Sequence, residues 1–227
     1  MIWSINIHSQ TYVKTPHQPK PMVRRTKEEA QQTRNALLDA AELVFERRGV
    51  SSTSLQEVAE AAGLTRGAVY WHFRDKADLF NAMMDRAVLP FERQWLEPAD
   101  DDVADPMGRL RELMFDILRQ VAVDARLQRV FAISTQKVEY VGELDAIRER
   151  HLRVYHQALL RIEALLRQAA AAGRLASGVS PKTTARALHA LVDGLIANWM
   201  LDPRAFDLRR VGRSAVLQML RGLAARA

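Results

Sequence analysis

Ser54-Leu-Gln-Glu-Val-Ala-Glu-Ala-Ala-Gly63-Leu-Thr-Arg-Gly-Ala-Val-Tyr-Trp-His-Phe73 decides the reading of this chain. The Ser54 hydroxyl can cap a helix while Glu57, three residues on, reaches back to close a capping box. Leu55, Val58, Ala59 and Ala62 then share one helical face, and Gly63 can take the left-handed conformation that ends the helix without steric cost. Leu64 is the apolar residue of the turn. Thr65 caps a second short helix whose inward stripe is Ala68, Val69 and Phe73. Two helices joined by so short a glycine turn cross steeply, as in a helix-turn-helix. Arg66, Gly67, Tyr70 and His72 are left pointing outward. A face of Thr, Arg, Tyr and His without a carboxylate suits a phosphate-lined groove, where Arg can fork onto a guanine edge. An ordinary αα corner would need helices and a turn, but not this outward set.

Upstream, Thr26 and Glu29 form another capping box. Leu37, Ala41, Val44 and Phe45 repeat at helical spacing up to Gly49. The result is a three-helix unit in which Thr53, Ser54 and Thr65 stand at helix N-termini, positions that suit phosphate. Residues 1–21 lack a sustained period and the apolar core of a signal peptide, so they read as a disordered arm. Its Lys14 and Lys20, with Arg24 and Arg25, could touch DNA backbone. Translation from Met22 would remove the arm altogether.

Downstream, Leu79, Phe80, Met83, Met84, Ala87, Val88, Phe91 and Trp95 give a wide apolar stripe from Asp75 onward, with Pro90 expected to kink or break it. The acidic stretch from Glu97 to Pro106 reads as a solvated connection, since three adjacent aspartates do not match a calcium loop. Further amphipathic helices follow: one around Leu110–Val121, one from Leu127 through Val138 closed by Gly142, and a long one from Ile147 to Gly173. Another begins at the Ser180 cap and Pro181, and a last one at Asp207. The fold class is all-α. The division expected is an arm over 1–21, a helix-turn-helix domain over 22–74, and a larger helical domain over 75–227.

The 181–202 helix has two faces. Leu188, Val192, Leu195, Ile196 and Trp199 are bulky, whereas Ala187, Ala190, Leu191 and Gly194 would let a second helix approach closely. Asp193 beside the bulky face needs a partner if buried, and His189 or a ligand could supply one.

With 227 residues, the chain has room for one large core or two modest ones. It has no cysteine, so disulfides, thiolate metal sites and a Cys nucleophile are excluded. No apolar run reaches membrane-spanning length, and a soluble cytoplasmic protein is expected. The net charge of +6 invites a nucleic-acid reading. Its distribution is less direct, because residues 1–27 hold five Lys or Arg and no acid, while 22–76 hold nine basic against eight acidic residues. An enzyme is disfavoured: no nucleotide-binding glycine loop, metal cluster or nucleophile motif appears, and no cofactor is expected. His151 and His156, five apart, do not share a face and do not make a metal pair. The rival readings are a helical DNA-binding regulator or nucleoid protein without a drug switch, or a regulator of an unrelated metabolic operon.

The capped first helix, Ser54-Leu-Gln-Glu-Val-Ala59, the stretch Gly63 to Lys76 and Asp78-Leu-Phe80 resemble the TetR family of transcriptional repressors. Lys137-Val-Glu-Tyr-Val-Gly-Glu143, Asn198-Trp199 and Phe206-Asp-Leu208 resemble its branch that represses multidrug efflux pumps. The resemblance implies a homodimer on double-stranded operator DNA, paired through its last two long helices. It places Thr65, Arg66, Gly67, Tyr70 and His72 at the DNA, with Lys76 and the cap of the second helix at phosphate. It also implies a pocket for a small hydrophobic inducer, lined by Met84, Val88, Ile117, Phe131, Thr135, His156, Leu160, His189, Val192 and Asp193. Some relatives carry an acid in that pocket wall where this chain has Val88.

Overall fold

A computed structural model describes residues 26–96 (the backbone alone from 88 to 96), 103–139 and 144–225. The expected arm, the basic residues within it, residues 97–102 of the acidic connection, Gly142 and the side chain of Val88 lie outside the described residues. The elements are α1 (Lys27–Arg48), α2 (Leu55–Ala61), α3 (Arg66–His72), α4 (Lys76–Leu96), α5 (Pro106–Val123), α6 (Ala125–Gln136), α7 (Asp145–Ala171), α8 (Pro181–Leu201) and α9 (Leu208–Leu223).

Local chemistry sets most of the boundaries. Thr26 and Glu29 close a capping box at α1, as Ser54 and Glu57 do at α2. Thr65, Ser180 and Asp207 each accept a backbone N–H at the starts of α3, α8 and α9, a contribution of about 1 kcal/mol per cap. Gly49 and Gly63 take positive φ of 80° and 67° where α1 and α2 end. Two boundaries differ from the sequence expectation. α4 runs on through Pro90 to Leu96, so the proline does not end the helix. α6 stops at Gln136 rather than near Gly142, because the Lys137 carbonyl turns to accept the Val50 N–H at 2.8 Å.

α1, α2 and α3 pack around Phe45, Val58, Val69 and Phe73, all essentially inaccessible to solvent. Phe80 of α4 meets Phe45 with ring centroids 6.2 Å apart. From there one contiguous buried cluster continues through α5, α7 and α8 to Leu220 of α9. The three-helix head and the larger helical body are therefore joined by packed side chains, each buried Leu or Phe contributing about 1.5–3 kcal/mol. α5 lies against α7 and α9, and α8 crosses α7. At the α5–α9 contact Gly212 leaves room for Leu118, whose Cδ1 would sit 2.5 Å from an added Cβ. The C-terminal end folds back on the turn after α7: the Ala176 N–H donates to the Leu223 carbonyl, and the Ala225 N–H to the Arg174 carbonyl.

Candidate nucleic-acid interface and ligand cavity

The turn after α2 is closed by the Leu64 N–H donating to the Ala59 carbonyl at 2.9 Å. It sets α3 so that Val69 and Phe73 face inward, with the Arg34 guanidinium 5.0 Å over the Phe73 ring. The opposite face of α3 is open. Thr65, Arg66, Gly67 and Tyr70 are exposed, His72 is half-buried, and the Arg66 guanidinium lies 5.4 Å over the Tyr70 ring. α3 carries no carboxylate, so an approaching phosphate meets only neutral groups and cations there.

Between the start of α2 and the end of α3 is an open cleft lined by Thr53, Ser54, Tyr70, Arg74 and Lys76 and by the carboxylates of Glu57 and Asp75. Two of these, Thr53 and Lys76, have polar atoms already engaged within the chain. Thr53 is buried, and its hydroxyl donates to the Gly49 carbonyl at 2.7 Å, satisfying a group left open at the end of α1. Lys76 is also buried, its ammonium donating to the Ser51 carbonyl at 3.0 Å. Both therefore brace the turn from Gly49 to Ser54. At Ser54 the amide and hydroxyl both donate to the Glu57 carboxylate, at 2.8 and 2.9 Å. These bonds from the Ser54 backbone and side chain, with Arg48 behind them, hold the Glu57 carboxyl below its ordinary value. An anion at this helix end thus meets a carboxylate that keeps its charge.

Sequence reading missed Trp71, which is 73% exposed and stands edge-on to His72 with ring centroids 4.5 Å apart. Its place two residues after inward-facing Val69 sends it to the outer side of the helix. Its apolar character hid that.

The second site is a cavity of about 130 Å³ inside the larger body. Six of the expected residues line it: Met84 from α4, Ile117 from α5, Phe131 from α6, and His189, Val192 and Asp193 from α8. Three do not. Thr135 is exposed on α6, its hydroxyl donating back to the Phe131 carbonyl at 2.8 Å. His156 and Leu160 lie one turn apart on the solvent side of α7, because the face of α7 that meets the cavity carries Val154, Tyr155, Ala158 and Ile162 instead. Met114, Ser134, Arg150, His151 and Ile196 complete the wall. The lining is apolar in α4, α5 and the second half of the α7 stretch, with polar groups gathered toward Arg150, His151, Tyr155 and the α8 pair His189 and Asp193. Arg150 is held by Asp85 of α4 at 3.0 Å. Burial pushes the His189 imidazole below its ordinary value, opposed by the Asp193 carboxylate and reinforced by His151.

The bulky face of α8 is buried at Leu188, Val192, Ile196 and Trp199. Its small face is open: Ala187 and Ala190 are exposed, Leu191 and Gly194 half-buried, and a Cβ added at Gly194 would meet nothing within 4 Å. Asn198 donates its amide to the Gly194 carbonyl at 2.8 Å on the same side. Among the described residues no helix is long and apolar enough to cross a membrane, and no three potential ligands gather to hold a metal ion.

Comparison with known proteins agrees with these features. The family described as "Bacterial regulatory proteins, tetR family" matches residues 37–83, and the "MAATS-type transcriptional repressor, C-terminal region" matches residues 105–224. The chain is 36% identical over 199 residues to the HTH-type transcriptional regulator AcrR of Shigella flexneri, covering 88% of this chain and 93% of that one. Among solved structures it resembles NalD, the secondary repressor of the MexAB-OprM multidrug efflux pump in Pseudomonas aeruginosa. The match has a TM-score of 0.78 and 37% identity, over 86% of this chain and 98% of that one. It also resembles SmeT in complex with triclosan, with a TM-score of 0.76 and 34% identity, over 87% and 94% of the two chains. SmeT is the repressor of the Stenotrophomonas maltophilia pump SmeDEF.

Proposed function

The chain belongs to the TetR family of bacterial regulatory proteins, whose members are transcriptional regulators and not enzymes, and from that membership we propose that it represses a multidrug efflux operon until a hydrophobic ligand releases it. The repressor acts in the cytoplasm as a homodimer, pairing α8 and α9 with their copies through the small face at Ala187, Ala190, Leu191 and Gly194. Two α3 helices then enter successive major grooves of a palindromic operator, about 34–36 Å apart. Arg66 reads a base edge. Thr65, Tyr70 and His72 position the phosphate backbone, while Gly67 lets the helix approach closely, and Ser54, engaged by Glu57, fixes the start of α2. Thr53 and Lys76 serve from behind by holding the Gly49–Ser54 turn. Trp71 joins the contact surface.

The observation that carries this reading is the pairing of the acid-free outer face of α3 with an apolar cavity in one continuously packed molecule. A drug-like ligand in the cavity, against Met84, Ile117, Phe131, His189, Val192 and Asp193, shifts the walls and with them the two heads. Coupling of about 1–3 kcal/mol gives roughly 5- to 150-fold weaker operator binding. Gel-shift titration of the DNA upstream of the gene, with and without triclosan, tests the reading. Tight binding to a palindrome that triclosan weakens is expected. Sequence-indifferent, purely salt-dependent binding would assign the chain to the nucleoid class instead.

A further inference from the structure

We propose that α6 carries the signal from the cavity to the head, through a buried clamp centred on Glu42. This inference rests on the ligand-responsive reading above and assigns its route. Glu42 belongs to α1, and its side chain is 4% exposed. One carboxylate oxygen meets the guanidiniums of Arg86 from α4 and Arg126 from α6, each at 2.6 Å. The other faces Arg129 of α6 at 3.6 Å. Asp39 pairs with the same Arg86 and Arg126 at 2.8 and 2.9 Å, and Glu46 pairs with Arg129 at 3.1 Å. Three carboxylates on one face of α1 thus meet three guanidiniums from two other helices. The charges balance, which is what allows a carboxylate to be buried at all.

The far end of α6 is tied as well. The Lys137 carbonyl accepts the Val50 N–H at 2.8 Å, and Val50 sits in the turn braced by Thr53 and Lys76 just ahead of α2. This helix of 12 residues is therefore fixed to the head at both ends, while Phe131 and Ser134 in its middle wall the cavity.

A cavity of about 130 Å³ holds roughly one aromatic ring, as an engineered cavity of about 150 Å³ holds benzene. A two-ring ligand must displace a wall. Packed interiors respond by shifting whole elements rather than by yielding locally. When α6 is the wall that shifts, its anchors move together. Glu42 follows its arginines, because letting go would leave a buried charge uncompensated.

The test uses the full-length dimer and the variants Glu42→Gln and Arg129→Gln. The glutamine at position 42 keeps the shape and removes the charge. Triclosan affinity is measured by calorimetry, and operator affinity by fluorescence anisotropy with and without triclosan. The distance between the two heads is measured by pulsed electron resonance on a label at Gln56→Cys, unique because the chain has no other cysteine. The variants are expected to retain helical circular dichroism and to bind triclosan within about threefold of the parent. They should lose at least about fivefold of its effect on operator affinity, and their head-to-head distances should broaden without ligand. An unchanged triclosan effect together with unchanged distances would overturn the clamp. If the parent itself ignores triclosan, the ligand-responsive reading fails for that probe. The distance measurement then decides the clamp alone: broadening supports it and an unchanged distribution overturns it. Arg129 sits at the half-exposed edge of the cluster, so its variant supplies the comparison should Glu42→Gln fail to fold.

Discussion

The ring of Tyr155 stands edge-on to that of His189, with centroids 5.0 Å apart and planes at 87°. The contact joins α7 to α8 at the polar end of the cavity, and burial there holds the His189 imidazole neutral below its ordinary value of 6.5. Asp193 works against that shift and His151 with it. Below pH 6.5 the unfolded chain binds a proton that the folded chain resists. The stability His189 contributes is therefore present above that pH and is lost as pH falls through the folded-state value. Thermal unfolding and the affinity for an apolar probe should both weaken on acidification from pH 7 to 5.5. His189→Gln should flatten that part of both profiles. Profiles of identical slope in parent and variant would remove His189 from the cause.

Arg66→Ala should weaken operator binding by about 1–3 kcal/mol, roughly 5- to 150-fold, and relax the base preference at one position in each half-site. Sedimentation and circular dichroism should be unchanged, since Arg66 is exposed and lies over the exposed ring of Tyr70. Full operator affinity in an anisotropy titration would refute a reading role for this residue.

Lys76→Met separates bracing from phosphate contact. Losing the donor to the Ser51 carbonyl should cost about 1–3 kcal/mol of stability, and operator affinity should fall with the loosened turn. The slope of affinity against salt should stay as it is, whereas a lysine on phosphate would lower it by about one. A reduced slope with unchanged melting would restore the direct contact.

Gly194→Leu builds outward on the open side of α8, where an added Cβ meets nothing within 4 Å. It should leave the monomer folded, abolish dimers in sedimentation velocity, and remove cooperative operator binding. A dimer of parental affinity would move the pairing surface away from α8.

The parts of the fold fixed by chemistry within a few residues were legible. The boxes at Thr26 and Ser54, the turn at Gly63 and the two faces of α8 follow from short-range spacing, and they recur in the structure as read. What depended on distant partners was not. Asp39, Glu42 and Glu46 have the spacing of a solvated face, but the arginines that bury Glu42 arrive from 44 and 84 residues away. The early end of α6 likewise depends on Val50, far upstream. His156 and Leu160 entered the expected pocket through the family resemblance alone, and residue-by-residue transfer along a helix fails with a small shift of register: they face solvent, and Tyr155 and Ala158 meet the cavity. Thr53 and Lys76 belong to the same class: their types suit phosphate, and only the folded turn shows their polar atoms already bonded to carbonyls.

The hydrogen bonds that tie Ala176 to Leu223 and Ala225 to Arg174 fasten the far end of α9 to the turn after α7. Along its length the same helix is held by α5, where Gly212 seats the Leu118 side chain. A helix held at its end by backbone and along its side by packing is already ordered before anything docks on it. For the pairing surface proposed on α8 and α9, little ordering is then left to oppose association.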